Sequence, residues 1–365
     1  MKLFRSKGFI TSLASLASIL VGVLLGYLLL IYFNSGSANK GIVNILTVGL
    51  SSKGKFAKVL YQAAPLVMTG LAVGFAFKTG LFNIGASGQY LMGAAFALYA
   101  GVVLNQPWYI ALVGSVLGGA IWGAIPGLFK AFFNVNEVIT SIMFNWIGLF
   151  AVNLWFANTP KMLANYWGAS NADRTANLAA ANAGSIIPKA GLDRLLSSPY
   201  MNISIIIAII IALIIYVVLN KTTFGYELKA CGYNRNASLY AGINAKKNII
   251  LAMLISGALA GLGGGLYYLS GVAQYTLEKV LQVMGFNGIP VALLATSNPV
   301  GIIFSALFIS YIQVGGEALQ PYYATEIIDI IIAVIIYLSA FALLMKAIIG
   351  KILQGRRSRK GGDIK

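Results

Sequence analysis

Apolar stretches long enough, or nearly long enough, to cross a bilayer recur from Phe9 to Met345. A helical crossing takes about 20 apolar residues. A soluble chain of 365 residues would form two or three cores joined by polar loops, and here the apolar runs return too often for that. The fold class this pattern dictates is all-α: a polytopic membrane protein of about ten transmembrane segments, some of them broken. Composition agrees, with 59% hydrophobic and 10% charged residues. A net charge of +17 would suit nucleic acid, but the Lys and Arg residues gather at the ends of apolar runs, which is how membrane orientation is written. There is no histidine, so His-based catalysis and His-ligated metals are excluded, and the single Cys231 excludes an internal disulfide or a cysteine metal cluster. Nine acidic residues scattered along the chain offer little for hydrolytic chemistry.

The most informative stretch is Lys78–Gln89, KTGLFNIGASGQ. Apolar sequence enters it from Pro65 to Phe77 and leaves it from Tyr90 to Leu104, each flank short for a full crossing. Between them stand Gly80, Gly85 and Gly88, the amides Asn83 and Gln89, and the hydroxyls Thr79 and Ser87. Such backbone in hydrocarbon leaves polar groups unpaired, so it belongs inside protein or beside a water-filled path. Two readings follow: a plain loop between short helices, or a broken helix turned toward a polar solute, as transporter sites are often built.

In order, Lys2, Arg5 and Lys7 precede an uncleaved first span, Phe9–Phe33, since a signal peptide would carry a shorter apolar core. Gly41–Leu60, with Lys53, Lys55 and Lys58, reads as an interfacial helix on the far side. Within it Gly49–Lys55 imitates a phosphate-cradling loop, but Phe56 stands where the magnesium-binding hydroxyl is needed, so the match is coincidence. Trp108–Phe129 and Glu137–Phe156 follow the break, joined by Lys130–Asn136. Residues 158–200, polar and punctuated by prolines, form an external lobe. Met201–Leu219 spans, residues 220–247 interrupt with charge and glycine, and Asn248–Ser270 spans again with five glycines that permit close helix packing. Gln282–Thr296 is short and carries a second polar knot, GFNGIP at 285–290, whose Phe-Asn and Gly echo Phe82–Gly85. Val300–Val314 and Ile327–Met345 complete a single membrane domain over 1–345, and 346–365 form a basic cytoplasmic tail. With both termini inside, the inner side collects most basic residues, including Lys78, Lys130, Lys221, Lys229, Arg235, Lys246 and Lys247.

Thr223–Gly242, TFGYELKACGYNRNASLYAG, alternates charge with small residues, and its glycines mark turns around short helices. It is either a basic cytoplasmic loop or a docking element for a cytosolic motor. Taken with GLFNIGASGQ at 80–89 and NEVITSIMFNW at 136–146, GYELKACGYNRNASLYAGI at 225–243 resembles the permease subunits of ABC importers. The resemblance runs from about Pro65 to Met345 and is nearest the sugar and nucleoside type related to branched-chain amino acid permeases, above all the nucleoside permeases. It implies a multi-pass protein of a bacterial cytoplasmic membrane, with no catalysis and no cofactor of its own. It also implies three partners: a cytosolic ATPase that binds ATP and magnesium, a second permease, identical or homologous, and an external lipid-anchored binding protein. No nucleic acid is involved.

On that resemblance the coupling segment comprises Gly225, Glu227, Lys229, Gly232, Asn234, Arg235, Ala237 and Gly242. The chain departs from the family pattern at Ser87, where an acid is usual, at Lys229, where Arg is common, and at Ser238, where a second Ala often stands. A nucleoside path needs amides and hydroxyls, supplied here by Asn83, Ser87, Gln89, Asn145 and Asn287, and stacking faces, supplied by Phe82, Trp146 and Phe286. For each amide the alternative is an interhelical hydrogen bond, worth about 0.6–2 kcal/mol. Rival functions are a simple sugar or branched-chain amino acid permease, and an ion-coupled carrier, which would place ionisable groups mid-span. A reporter fused after Leu60 or near Asn182 should read out as external; a cytoplasmic readout would invert the topology.

Overall fold

A computed structural model of the chain describes residues 7–339 together with Phe341, Leu344 and Met345. The basic tail at 346–365, Lys2 and Arg5 lie outside the described residues. The described chain is helical throughout: α1 (Lys7–Thr47), α2 (Lys53–Lys78), α3 (Ala86–Leu98), α4 (Trp108–Phe133), α5 (Glu137–Ala157), the single turns α6 (Leu178–Ala181) and α7 (Leu192–Leu195), α8 (Ser204–Lys221), α9 (Thr223–Tyr233), α10 (Arg235–Tyr240), α11 (Ala245–Tyr268), α12 (Val283–Leu294), α13 (Pro299–Glu317) and α14 (Thr325–Ser339). Eight helices among the described residues are long and apolar enough to cross a membrane, and α12 is a shorter apolar helix. This is an all-α polytopic membrane protein.

Two compact units divide the chain. The larger comprises Ser52–Ala292 and Ser297–Ser310, and α11 is its axis. Glycines make that position possible. Gly257 and Gly261 of α11 meet Gly119 and Gly123 of α4 backbone to backbone: a Cβ on Gly261 would stand 2.7 Å from the Cα of Gly119. On another face Gly264 rests on the backbone of α3 at Tyr90. Apolar side chains give no net drive for helices to associate inside lipid, so close main-chain packing of this kind is what holds them together. α2 is buried on all sides from Ala63 to Ala76, the mark of a helix enclosed by protein.

Here the structure differs from the expectation of an interfacial helix over Gly41–Leu60. That stretch breaks at Val48–Ser52, and its second half opens α2, where the Ser52 hydroxyl accepts a hydrogen bond from the Lys55 amide (3.2 Å). α2 therefore runs 26 residues, straight through Pro65, and is no short flank. Proline forfeits one backbone bond, a loss that membrane helices tolerate when neighbouring groups re-satisfy the freed carbonyl.

The smaller unit comprises Met1–Ser51, Leu293–Thr296 and Tyr311–Lys365. The first span ends as expected near Phe33, because α1 turns sharply at Asn34 (φ −158°, ψ 90°). The phenol of Tyr323 donates to the carbonyls of Leu30 (3.3 Å) and Asn34 (3.0 Å), supplying partners to the backbone that the turn releases. Tyr311 covers Gly49 with its ring and donates to the Leu46 carbonyl.

Residues 158–200, expected as an external lobe, carry only short turns of helix and are pinned to the segment after α11: the Thr175 amide donates to the Tyr275 carbonyl (2.8 Å) and the Leu277 amide to the Asp173 carbonyl (2.7 Å). Introducing a side chain into the α4–α11 seam should be costly. Gly261→Leu is expected to destabilise the solubilised protein by about 1–3 kcal/mol through overpacking, whereas Gly54→Ala, with open space around the new methyl, should leave the melting temperature unchanged.

Candidate functional site

The break between α2 and α3 is closed at each end by a specific device. At the α2 terminus the Gly80 amide bonds to the Phe77 carbonyl (3.2 Å) and the Leu81 amide to the Ala76 carbonyl (3.0 Å), with Gly80 at φ +75°. This is a Schellman ending, and glycine suits it because it enters the left-handed region without steric cost. At the α3 start, orphan amides are met by side chains. The Gly85 amide donates to Asn83 Oδ1 (3.0 Å) and the Gly88 amide to Asn145 Oδ1 (2.8 Å).

Asn83 is the hub. Its Nδ2 donates to Gln89 Oε1 and to Ser256 Oγ, both at 2.7 Å, while its Oδ1 also accepts from Gln89 Nε2 (3.1 Å). Ser256, on α11, passes the chain on to the Ala72 carbonyl of α2 (2.6 Å). Asn145, on α5, donates Nδ2 to the Ile84 carbonyl (3.1 Å). Asn83, Gln89, Asn145 and Ser256 are all buried, and no ionised side chain belongs to the network. Ser87 donates to the Gln282 carbonyl (2.8 Å), which ties the break to the segment leading into α12. Sequence reasoning missed Ser256 and Gln282. Each is a common polar residue far along the chain from its partner, and nothing local marks it.

The other expected path residues lie apart. Phe82 is half-buried and stacks on Phe77 at 5.1 Å. Trp146 is exposed on the outer stripe of α5 with Ile142, Met143 and Phe150. Phe286 and Asn287 are half-buried on α12, and Asn287 makes no side-chain hydrogen bond among the described residues. The second polar knot, GFNGIP, is not an interruption, because α12 runs through all of it. Its glycines serve contact instead: Gly285 sits against the backbone of Ser87 and Gly288 against that of Thr69. The echo of Phe82–Gly85 is therefore one of composition, with the chain broken in one case and helical in the other.

Residues 223–240, where the resemblance places coupling to a motor, fold as two short helices set at an angle, α9 and α10. Thr222 caps α9 through the Gly225 amide (3.1 Å), and Asn234 caps α10 through the Ala237 amide (3.0 Å). Gly225 packs on the backbone of Leu219, and Gly242, at φ +79°, ends the turn after α10. Glu227 accepts from Asn248 Nδ2 (3.3 Å), and Arg235 reaches Asn134 Oδ1 at 3.5 Å. Lys229 is half-buried, Ala237 is exposed, and Tyr233 and Tyr240 stand 90% and 94% exposed. Gly232 joins this knuckle to the break: a Cβ there would lie 2.6 Å from the Thr79 carbonyl carbon, and one on Gly80 would lie 2.5 Å from Gly232 Cα. Nearby, Glu137 occupies the first turn of α5, where its charge suits the helix dipole, and pairs with Lys130 at 2.9 Å.

Residues 56–340 match the family described as branched-chain amino acid transport system / permease component. The chain belongs to this family. It is a permease, and with it a multi-pass protein of the cytoplasmic membrane. It is similar to a guanosine ABC transporter permease of Bacillus subtilis, 34% identical over 82% of this chain and 86% of that one. A nucleoside ABC transporter permease of Lactococcus lactis is also 34% identical, over 93% of each chain. A glucose ABC transporter permease of Haloferax volcanii is 29% identical over 80% of this permease and 78% of that one. No solved structure matches.

Removing the hub tests what it does. Asn83→Ala leaves Gln89, Ser256 and the Gly85 amide short of partners in a buried setting, and is expected to cost the solubilised permease about 1–3 kcal/mol. Thermal unfolding and uptake should be read together. Uptake that falls only as far as folded protein falls marks a packing role, and lost uptake at normal stability places Asn83 in the path.

Proposed function

We propose that this permease forms part of the translocation path of an ABC importer for nucleosides. The observation that carries the reading is similarity along nearly the whole chain, at 34% identity, to permeases named for guanosine and nucleoside transport. The break at Lys78–Gln89 supports it, since irregular backbone is held there by buried amides rather than by charge. Asn287 adds an unspent amide on α12. No fixed charge is needed to carry a neutral, hydroxyl-rich solute, and an ion-coupled carrier would require one.

In this reading a separate cytosolic ATPase seats on the α9–α10 knuckle and supplies the work. A second permease completes the path, and an external lipid-anchored protein delivers substrate. Both termini face the cytoplasm, on the same side as the knuckle. The Gly232–Gly80 contact supports the coupling role, because it connects the exposed knuckle to the broken helix through main chain alone.

The test is reconstitution with the ATPase and binding protein. Labelled guanosine should enter vesicles only with ATP, and unlabelled nucleosides should compete while glucose does not. Competition by glucose alone would favour a sugar permease, and uptake on an ion gradient without ATPase would favour a carrier. Gly232→Leu should abolish substrate-stimulated ATP hydrolysis while the permease stays folded, and unchanged turnover would refute the knuckle's role.

A further inference from the structure

A cavity of about 270 Å³ opens between the end of α11 and the start of α12, lined among others by Tyr267, Tyr268, Gln274, Thr276, Glu278 and Gln282. Its volume lies just under the roughly 300–1,000 Å³ of small-molecule pockets. It adjoins the break through Gln282, whose carbonyl accepts from Ser87. None of these lining residues was picked out by the sequence patterns.

The lining holds aromatic surface and unspent polar capacity together. Tyr267 and Tyr268 meet edge to face at 5.0 Å, and Tyr267 is stacked on Tyr61 at 5.3 Å, which fixes its ring and covers one side of it. Tyr268 is buried behind it, held by the Tyr90 (6.4 Å) and Tyr275 (6.0 Å) rings and by its phenol, which donates to Gln282 Oε1 (3.3 Å). That bond orients the Gln282 amide so that its NH₂ group, a two-proton donor, makes no hydrogen bond among the described residues. Gln274 is anchored by its nitrogen on the Thr175 carbonyl (2.9 Å), which leaves its oxygen available. The Glu278 side chain is exposed at the rim, with neither ion pair nor hydrogen bond among the described residues, and its main chain is fixed by Asn153, which donates to the Glu278 carbonyl (2.8 Å). Burial, with this carboxylate nearby, pushes the Tyr275 phenol up from its ordinary pKa.

An ionised carboxylate only accepts hydrogen bonds, so the complementary ligand edge must present N–H or O–H donors. The Gln282 NH₂ calls for a carbonyl or ring-nitrogen acceptor beside them. The part-exposed Tyr267 ring calls for a flat π-face, because aromatic stacking is the sequence-tolerant part of base recognition. A single carboxylate with no second acidic or cysteine ligand in a cluster does not make a metal site.

We propose that this cavity binds a nucleobase edge that sets a ring N–H beside a carbonyl, as in a 6-oxopurine, with Glu278 accepting from the N–H, Gln282 donating to the carbonyl, and the base packing against Tyr267. The proposal rests on the nucleoside reading above and adds which base the permease itself selects. Adenine lacks the ring N–H and presents an amino group where the carbonyl would be, so it forfeits both contacts.

The purified permease–ATPase complex, without binding protein, is irradiated with 8-azidoguanosine and the labelled peptide identified. Label should fall within residues 267–284, protected by guanosine and not by glucose. Glu278→Gln should cut this labelling by roughly tenfold, the worth of one hydrogen bond to a charged group. Labelling by 8-azidoadenosine should be weak and change less than about twofold, and Lys279→Gln, an exposed neighbour outside the lining, should change neither. Label elsewhere, an equal loss for both probes, or no effect of Glu278→Gln would overturn the proposal. If the complete transporter takes up guanosine while any of these holds, the base site alone fails; if it takes up no nucleoside, the parent reading fails with it.

Discussion

A helix that stops and restarts inside a membrane protein must find partners for the amides and carbonyls it releases, and around Thr79–Gly88 buried side chains supply several of them. The solution is a closed exchange among Asn83, Gln89, Asn145 and Ser256. It can form only if α11 and α5 approach the break to within side-chain reach. Close approach of α11 in turn requires the run of glycines that lets its backbone lie on α4 and α3. The glycine seam and the amide knot are thus one arrangement. Weaken the seam and Ser256 withdraws; remove the amides and the interrupted backbone is left unpaired, at about 1–3 kcal/mol for each buried group.

Much of this was legible in the sequence where a local rule applied. The break at Lys78–Gln89 is announced by its glycines and amides, and the glycines of Asn248–Ser270 announce close packing; both are realised. The α9–α10 knuckle was legible only in part: of the glycines expected at its turns, Gly242 ends one, whereas Gly225 and Gly232 lie inside α9 and admit a neighbouring backbone instead. The long-range parts were not. Pro65 reads as a boundary, yet enclosure by neighbouring helices carries α2 through it. GFNGIP resembles GLFNIG in composition, but whether a glycine turns the chain or merely admits a neighbour depends on what lies opposite, and that is fixed by tertiary structure. Trp146 follows Asn145 directly, and adjacent helical residues point about 100° apart, so one joins the knot and the other faces outward.

The charged residues are arranged with similar economy. Lys130 and Glu137 close on one another across the α4–α5 turn, and Arg235 reaches back to Asn134 in the same turn. Loops that are separate in sequence are thereby fastened together at one end of the larger unit. The polar lobe is fastened differently, by backbone pairing of 173–175 with 275–277, and the Glu278 carboxylate takes no part in it.

The contact between Gly232 and Gly80 has an evolutionary corollary. Because it is made by main chain alone, it does not depend on which side chains surround it. The exposed residues of the knuckle, Tyr226, Tyr233 and Tyr240 among them, can change while its close approach to the end of α2 stays as it is. Selection can act on the plug and leave the wire alone.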